Sequence, residues 1–213
     1  MADVNLDQIS PLLPVDFFSV GLDLHGVDQK GLKKKHNLPH FKPLLDEIAF
    51  ADVAIGWTLD GIVCRVDVGT SFKDCQFPDY RRGDSVELFI DTRDGKASGF
   101  VTRFCHHFVF LPKEVDGIQK QEVTHFRAEE RHELCDAEKL LAHTEFGNSS
   151  YQLDIFIPSE CLHGYDPTSF ERLGFAYRIN RAHGKAQHFC LSSRSVQIEQ
   201  QPSLWSSMEM KAI

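Results

Sequence analysis

The sequence of 213 residues predicts an all-β fold, an antiparallel β-sandwich with a jelly-roll or immunoglobulin-like pair of sheets. Three observations predict it. Short runs in which apolar and polar residues alternate recur along the chain, bounded by Gly, Pro, Asn and Asp. No long amphipathic helix, no alternating strand–helix rhythm and no internal repeat interrupts them. Phenylalanine is frequent, with 17 residues, and it suits pleated, half-buried surfaces. No linker-like change of composition divides residues 1–213, which read as one domain.

Residues 15–24, VDFFSVGLDL, predict a first strand, and the polar, Lys-rich stretch 26–47 reads as a loop insertion. Its Lys33-Lys34-Lys35 run is read as a solvated loop rather than a nucleic-acid patch. VAIGW (53–57) and IVCRVDV (62–68) flank Thr58-Leu59-Asp60-Gly61, a hairpin signal ending in Asp-Gly. Trp57 falls on the core face of this hairpin, with Val53 and Ile55.

In YRRGDSVELFIDTRDG (80–95), Val86, Leu88 and Ile90 point one way and Ser85, Glu87 and Asp91 the other. Phe89 shares the polar side, so that side is not fully wet. FVTRFCHHFVFLP (100–112) is aromatic enough for a strand buried on parts of both faces, ended by Pro112. A strand near 121–127 should give way to irregular structure, with a short helix over 128–140 as the competing reading. Residues 140–147 and 151–157 form another hairpin about Gly147-Asn148-Ser149-Ser150, and IPSECLHGYDP reads as a turn. LGFAYRIN (173–180) is the last strong strand, followed by a polar tail, 182–213, that holds Trp205.

Hydrophobic content of 42%, with 11% aromatic, is enough for a packed core. A formal net charge of −8 argues against a dedicated nucleic-acid binder. No basic-then-apolar leader opens the chain and no apolar run is long enough to span a bilayer, which leads to an expectation of a cytoplasmic protein without membrane or nucleic-acid partners. The six cysteines lack a CxxC pair and are expected to be reduced, mostly buried thiols.

The chemistry concentrates at a few places. Glu87, set mid-strand between apolar neighbours, is costly to bury unless something pairs with it. His106 and His107 face opposite ways along a strand and cannot easily share one metal ion, although Cys105 and His107 share a face. No HxH, HExxH, GxSxG, P-loop or GxGxxG pattern occurs, so neither a metal site nor a catalytic centre is expected.

In their order and spacing, WTLDGIVCRVDV, DSVELFIDTRD, YQLDIFIP and LGFAYRIN resemble the motifs of family 9 carbohydrate-binding modules, a group similar to DOMON-like sandwiches. The resemblance covers about residues 50–205. It implies a non-catalytic sandwich that holds a sugar end between two tryptophans and bonds its hydroxyls through a strand glutamate, an arginine and an amide. The glutamate falls on Glu87, the arginine on Arg103, and the amide position on Arg178. The first clamp tryptophan falls near Tyr80 or Arg81, neither of them Trp, and Trp205 is the candidate for the second. The family also implies calcium in loops, with no ligands that map onto this chain.

The resulting expectation is a binder of a saccharide or other polar small molecule at Glu87, Arg103, Arg178, Tyr80, Arg81 and Trp205. It needs no other cofactor. Beside it stand a protein-interaction sandwich that has lost sugar binding and a metal or redox Cys-His protein.

Overall fold

The structure is a computed structural model and describes residues 20–45, 47–96, 99–127, 129–192 and 197–212. Two sheets face each other. One runs β1-β11-β9-β4-β5-β6, with β10 added to β9, and the other runs β2-β3-β8-β7. The strands are β1 (Gly21–His25), β2 (Ala51–Thr58), β3 (Gly61–Val68), β4 (Ser85–Asp91), β5 (Cys105–Val115) and β6 (Ile118–Glu122). They continue as β7 (Leu141–Phe146), β8 (Tyr151–Pro158), β9 (Arg172–Asn180), β10 (Gln187–His188) and β11 (Ser206–Lys211). All pairings are antiparallel except that of β1 with β11.

The core lies between the sheets and follows the period of two. Val53, Ile55 and Trp57 of β2, with Cys64 and Val66 of β3, meet Val86, Leu88 and Ile90 of β4 and Phe108 and Phe110 of β5 in one buried cluster. Trp57 takes the core place expected of it, and its Nε1 donates to the Lys211 carbonyl at 2.9 Å. The far side of the four-stranded sheet is polar, with Arg65 paired to Asp154 across β3 and β8.

The β2–β3 hairpin is tighter than the sequence suggested. Thr58 already pairs with Gly61, leaving Leu59 and Asp60 as the loop. Gly61 has φ +147°, and a Cβ there would stand 2.1 Å from the Ile157 carbonyl oxygen, so only glycine fits. Pro112 does not end β5. The strand runs on to Val115 because Pro112 lies where the β5–β6 register shifts between Phe110 and Val115, so its missing N–H breaks no ladder bond.

Other expectations need adjustment. The first strand is present over Gly21–His25, while residues 15–19 lie outside the described residues. The loop 26–47 contains two 3₁₀ turns, Lys34–His36 and Lys42–Leu45. After β6 the described chain is irregular up to a 3₁₀ turn at Ala137–Lys139, not a longer helix. The tail carries two strands the sequence did not announce, β10 and β11. β11 escapes notice because Met208 is its only deeply buried apolar residue, on an alternation of polar and thioether side chains.

Cysteine usage also departs from expectation. Cys64, Cys75, Cys105 and Cys190 are free and buried, but Cys135 and Cys161 form a disulfide. Their Cα atoms lie 4.8 Å apart, within the reach of the bond.

Candidate functional site

β4 runs between β5 and β9, so the side of it facing away from the core meets both neighbours. On that outer face stand Ser85, Glu87 and Phe89 of β4, His107 and Val109 of β5, and Ala176, Arg178 and Asn180 of β9. Two apolar plugs cover it. Over Val109 and Leu111 lies the segment with Cys75, Phe77 and Tyr80. Over Phe89 and Ala176 lie Leu191, Ile198 and Trp205.

Between the plugs sits a polar network centred on Glu87, which is fully buried. Arg178 clamps it with two forked bonds, Nε to Oε1 and NH2 to Oε2, both 2.6 Å. Asn180 Nδ2 donates to Oε1 at 2.7 Å, and His107 Nε2 donates to Oε2 at 2.9 Å. Burial alone would raise the Glu87 carboxyl, but the bonds from His107 and Arg178 hold it well below the usual carboxylate range. Burial pushes the His107 imidazole down, so the ring is neutral and donates through Nε2.

A second tier lies above. Arg81 NH2 is 3.0 Å from Glu199 Oε1 and 3.6 Å from Glu87 Oε2. Glu199 Oε2 accepts no hydrogen bond and lies 3.5 Å from Arg178 NH1. The Ser85 hydroxyl donates to the Tyr80 carbonyl at 2.7 Å and anchors this turn. Asp84 ties the same loop down by accepting the Lys73 amide at 2.6 Å.

Beside this tier opens a hollow of about 540 Å³. Tyr80, Arg81, His107, Glu199 and Gln200 are among its walls, with Asp79 and Arg82 at its rim. Charge is balanced there. Arg81, Arg82 and Arg178 stand against Asp79, Glu87 and Glu199. Such a wall offers donors and acceptors to a neutral polar guest without a strong field for an ion.

A family 9 carbohydrate-binding module from Caldicellulosiruptor kristjanssonii, solved with cellotriose, superposes with TM-score 0.64 over 91% of this chain and 95% of that one, at 14% identity. The fold is that of family 9 carbohydrate-binding modules. A family 9 module from the same organism, solved with glucose, gives TM-score 0.56 over 76% of this chain and 77% of that one, at 16% identity. No protein-family model matches the sequence, and no curated protein does.

Within this family 9 module fold the sequence-predicted site residues part company. Glu87 and Arg178 do meet, but they are sealed against each other and reach the hollow only through Arg81, His107 and Glu199. Tyr80 and Arg81 line the hollow. Arg103 does not join the network. It sits in the turn before β5 and forks onto Glu130 at 2.9 and 2.6 Å, half exposed. The place expected for it belongs to His107, because β5 starts at Cys105 and brings His107 diagonally across from Glu87.

Trp205 offers no open ring to a ligand. It is 2% exposed, lies against Phe89 at 5.7 Å between ring centroids, and donates Nε1 to the Ile198 carbonyl. The amide that the resemblance placed at Arg178 is found two residues on, at Asn180, on the same face of β9. Glu199 and Gln200 come from the tail, where nothing in the local sequence marks them.

Proposed function

We propose that the chain is a non-catalytic binding module for a neutral saccharide, which it takes into the hollow beside Tyr80 and Arg81. The reading is carried by the charge-balanced wall, in which Arg81 and Glu199 stand paired at the hollow beside Gln200. Arg81, Glu199 and Gln200 offer donors and acceptors to the hydroxyls of the sugar. Tyr80, 6.2 Å from the His107 ring, gives an aromatic wall for the apolar face of a pyranose. Glu87 and Arg178 act from below by holding His107 and Arg81 in place. The fold shared with modules solved with cellotriose and glucose agrees with this choice of guest.

With one aromatic wall instead of a tryptophan clamp, affinity should be modest, on the order of −4 to −5 kcal/mol. Calorimetric titration with glucose, cellotriose and other neutral oligosaccharides tests the reading. Binding that vanishes in Arg81→Ala and Tyr80→Ala supports it. No heat with any neutral sugar, or binding untouched by both substitutions, overturns it.

A further inference from the structure

At the opposite face of β5, His106, Glu122 and His132 converge, each offering one donor atom, with all three atoms within 4.8 Å of one another. His106 comes from β5 and Glu122 from β6, where Glu122 pairs with Phe108, so both point toward the inter-sheet side. His132 arrives from the irregular segment after β6. The Cys135–Cys161 disulfide fastens that segment to the turn that precedes His163. Glu122 Oε1 lies 2.9 Å from His106 Nδ1 and 2.9 Å from His132 Nε2. Thr124 Oγ1 and the Cys135 amide donate to the same carboxylate at 2.8 and 2.7 Å and fix its plane.

The far nitrogens decide what this cluster is for. His132 Nδ1 lies 2.7 Å from the Arg103 carbonyl, which only accepts, so Nδ1 carries the hydrogen. The lone-pair side of that ring, Nε2, then faces a carboxylate oxygen. Such a contact needs a positive bridge, either a proton or a metal ion. His106 shows the complementary defect. With its Nδ1–H turned to Glu122, its buried Nε2 faces the His163 carbonyl without a well-formed hydrogen bond.

A cation held by His106 Nδ1 mends both. It moves the His106 hydrogen to Nε2, toward a carbonyl, and bridges His132 Nε2 to Glu122. Each ring then donates its outer N–H to a backbone carbonyl, the arrangement that orients metal-ligating histidines.

We propose that His106 Nδ1, His132 Nε2 and Glu122 Oε1 bind a divalent ion of the zinc class. Two imidazoles and one carboxylate suit that ion, whose tetrahedral donors lie about 3.4 Å apart, so the two 2.9 Å contacts open by about 0.5 Å while the two ring nitrogens, within 4.8 Å of each other, settle to the same spacing. His132 also walls a hollow of about 470 Å³, together with Asp136, Glu160 and His163. The site is separate from the saccharide hollow and does not depend on it.

The experiment uses the full chain with its affinity tag removed, treated with chelator, then titrated with ZnCl₂ and, separately, CoCl₂. The expected result is about one ion per chain, a visible cobalt spectrum of low coordination number, and affinity at least about tenfold weaker in His132→Gln and Glu122→Gln. Long-range ¹H–¹⁵N spectra of the wild-type histidine rings give a readout that needs no substitution. Zinc should shift His106 Nδ1 and His132 Nε2. Failure to retain zinc, equal affinity in both folded variants, or shifts confined to surface rings such as His143 overturns the proposal. If a variant fails to fold, the wild-type ring spectra decide alone.

Discussion

Replacing Glu87 by alanine removes the acceptor for four N–H groups at once. Two belong to Arg178, one to Asn180 and one to His107. The Arg178 guanidinium stays buried, with Glu199 at 3.5 Å as its remaining counter-charge. Breaking a buried pair by deleting one partner costs about 3–5 kcal/mol, most of it from the stranded charge. In a chain of this size that is a fall in Tm of roughly 6–20 °C.

Urea unfolding measures the loss directly. The double variant Glu87→Leu/Arg178→Met discriminates between causes, because removing both charges leaves nothing stranded. It should lose less than Glu87→Ala alone. Because the folded carboxyl sits far below its usual range, this contribution is whole above about pH 5 and is lost as the pH falls further. A loss under about 1 kcal/mol for Glu87→Ala, or a double variant no better than the single one, would refute the view that the pair organises the outer face.

His188 lies buried on β10 opposite Arg178 with neither ring nitrogen bonded, and burial, then the charges of Arg178 and Lys42, push it down to about 3. The unfolded chain takes up that proton below about pH 6.5, so at pH 5 the wild type is weaker by about 2 kcal/mol than at pH 8 from this group. His188→Leu should erase that part of the pH dependence in urea unfolding, and an unchanged slope would contradict it. Arg103→Ala should leave both thermal unfolding and saccharide titration unaltered, since its partner Glu130 is as exposed as it is. Saccharide binding should leave tryptophan emission unchanged, because Trp57 and Trp205 are both buried. A ligand-dependent emission shift would return Trp205 to the site. Gly61→Ala should cost about 1–3 kcal/mol by thermal melting, from the clash with the Ile157 carbonyl.

The strands that could be read from the sequence are those buried on one face and wet or polar on the other, such as β3, β4 and β8, where alternation is visible residue by residue. β10 and β11 were not legible, because a two-residue strand has no period and β11 hides one anchor, Met208, among serines and a glutamate. Glu87 declared itself as a carboxylate in an apolar strand. Arg178 followed from the resemblance, and the structure confirms that the two meet. Arg103 fails as a partner because β5 starts at Cys105, five residues after Phe100, which leaves position 103 in the preceding turn and off the strand. His107 shares a face with Cys105 in the sequence pattern, but nothing local to it points to Glu87, which lies across the sheet on β4. Glu199 and Gln200 could not be found, since only the return of the tail over the outer face brings them to β4. The same holds for His106, Glu122 and His132, whose meeting depends on where the chain turns after β6.

His106 and His107 are neighbours in the chain, yet each is bonded to a different carboxylate on a different side of the sheet. That makes β5 a key with teeth on both edges. Sliding it by two residues relative to β4 and β6, the smallest step that keeps each side chain on its own face, would present Phe104 and Cys105 or Phe108 and Val109 where imidazoles belong, and would take a partner from two interior acids at the same moment. Hydrophobic patterning on one side alone tolerates some misalignment. Here the mismatch is charged twice over, so the strand has a single admissible alignment.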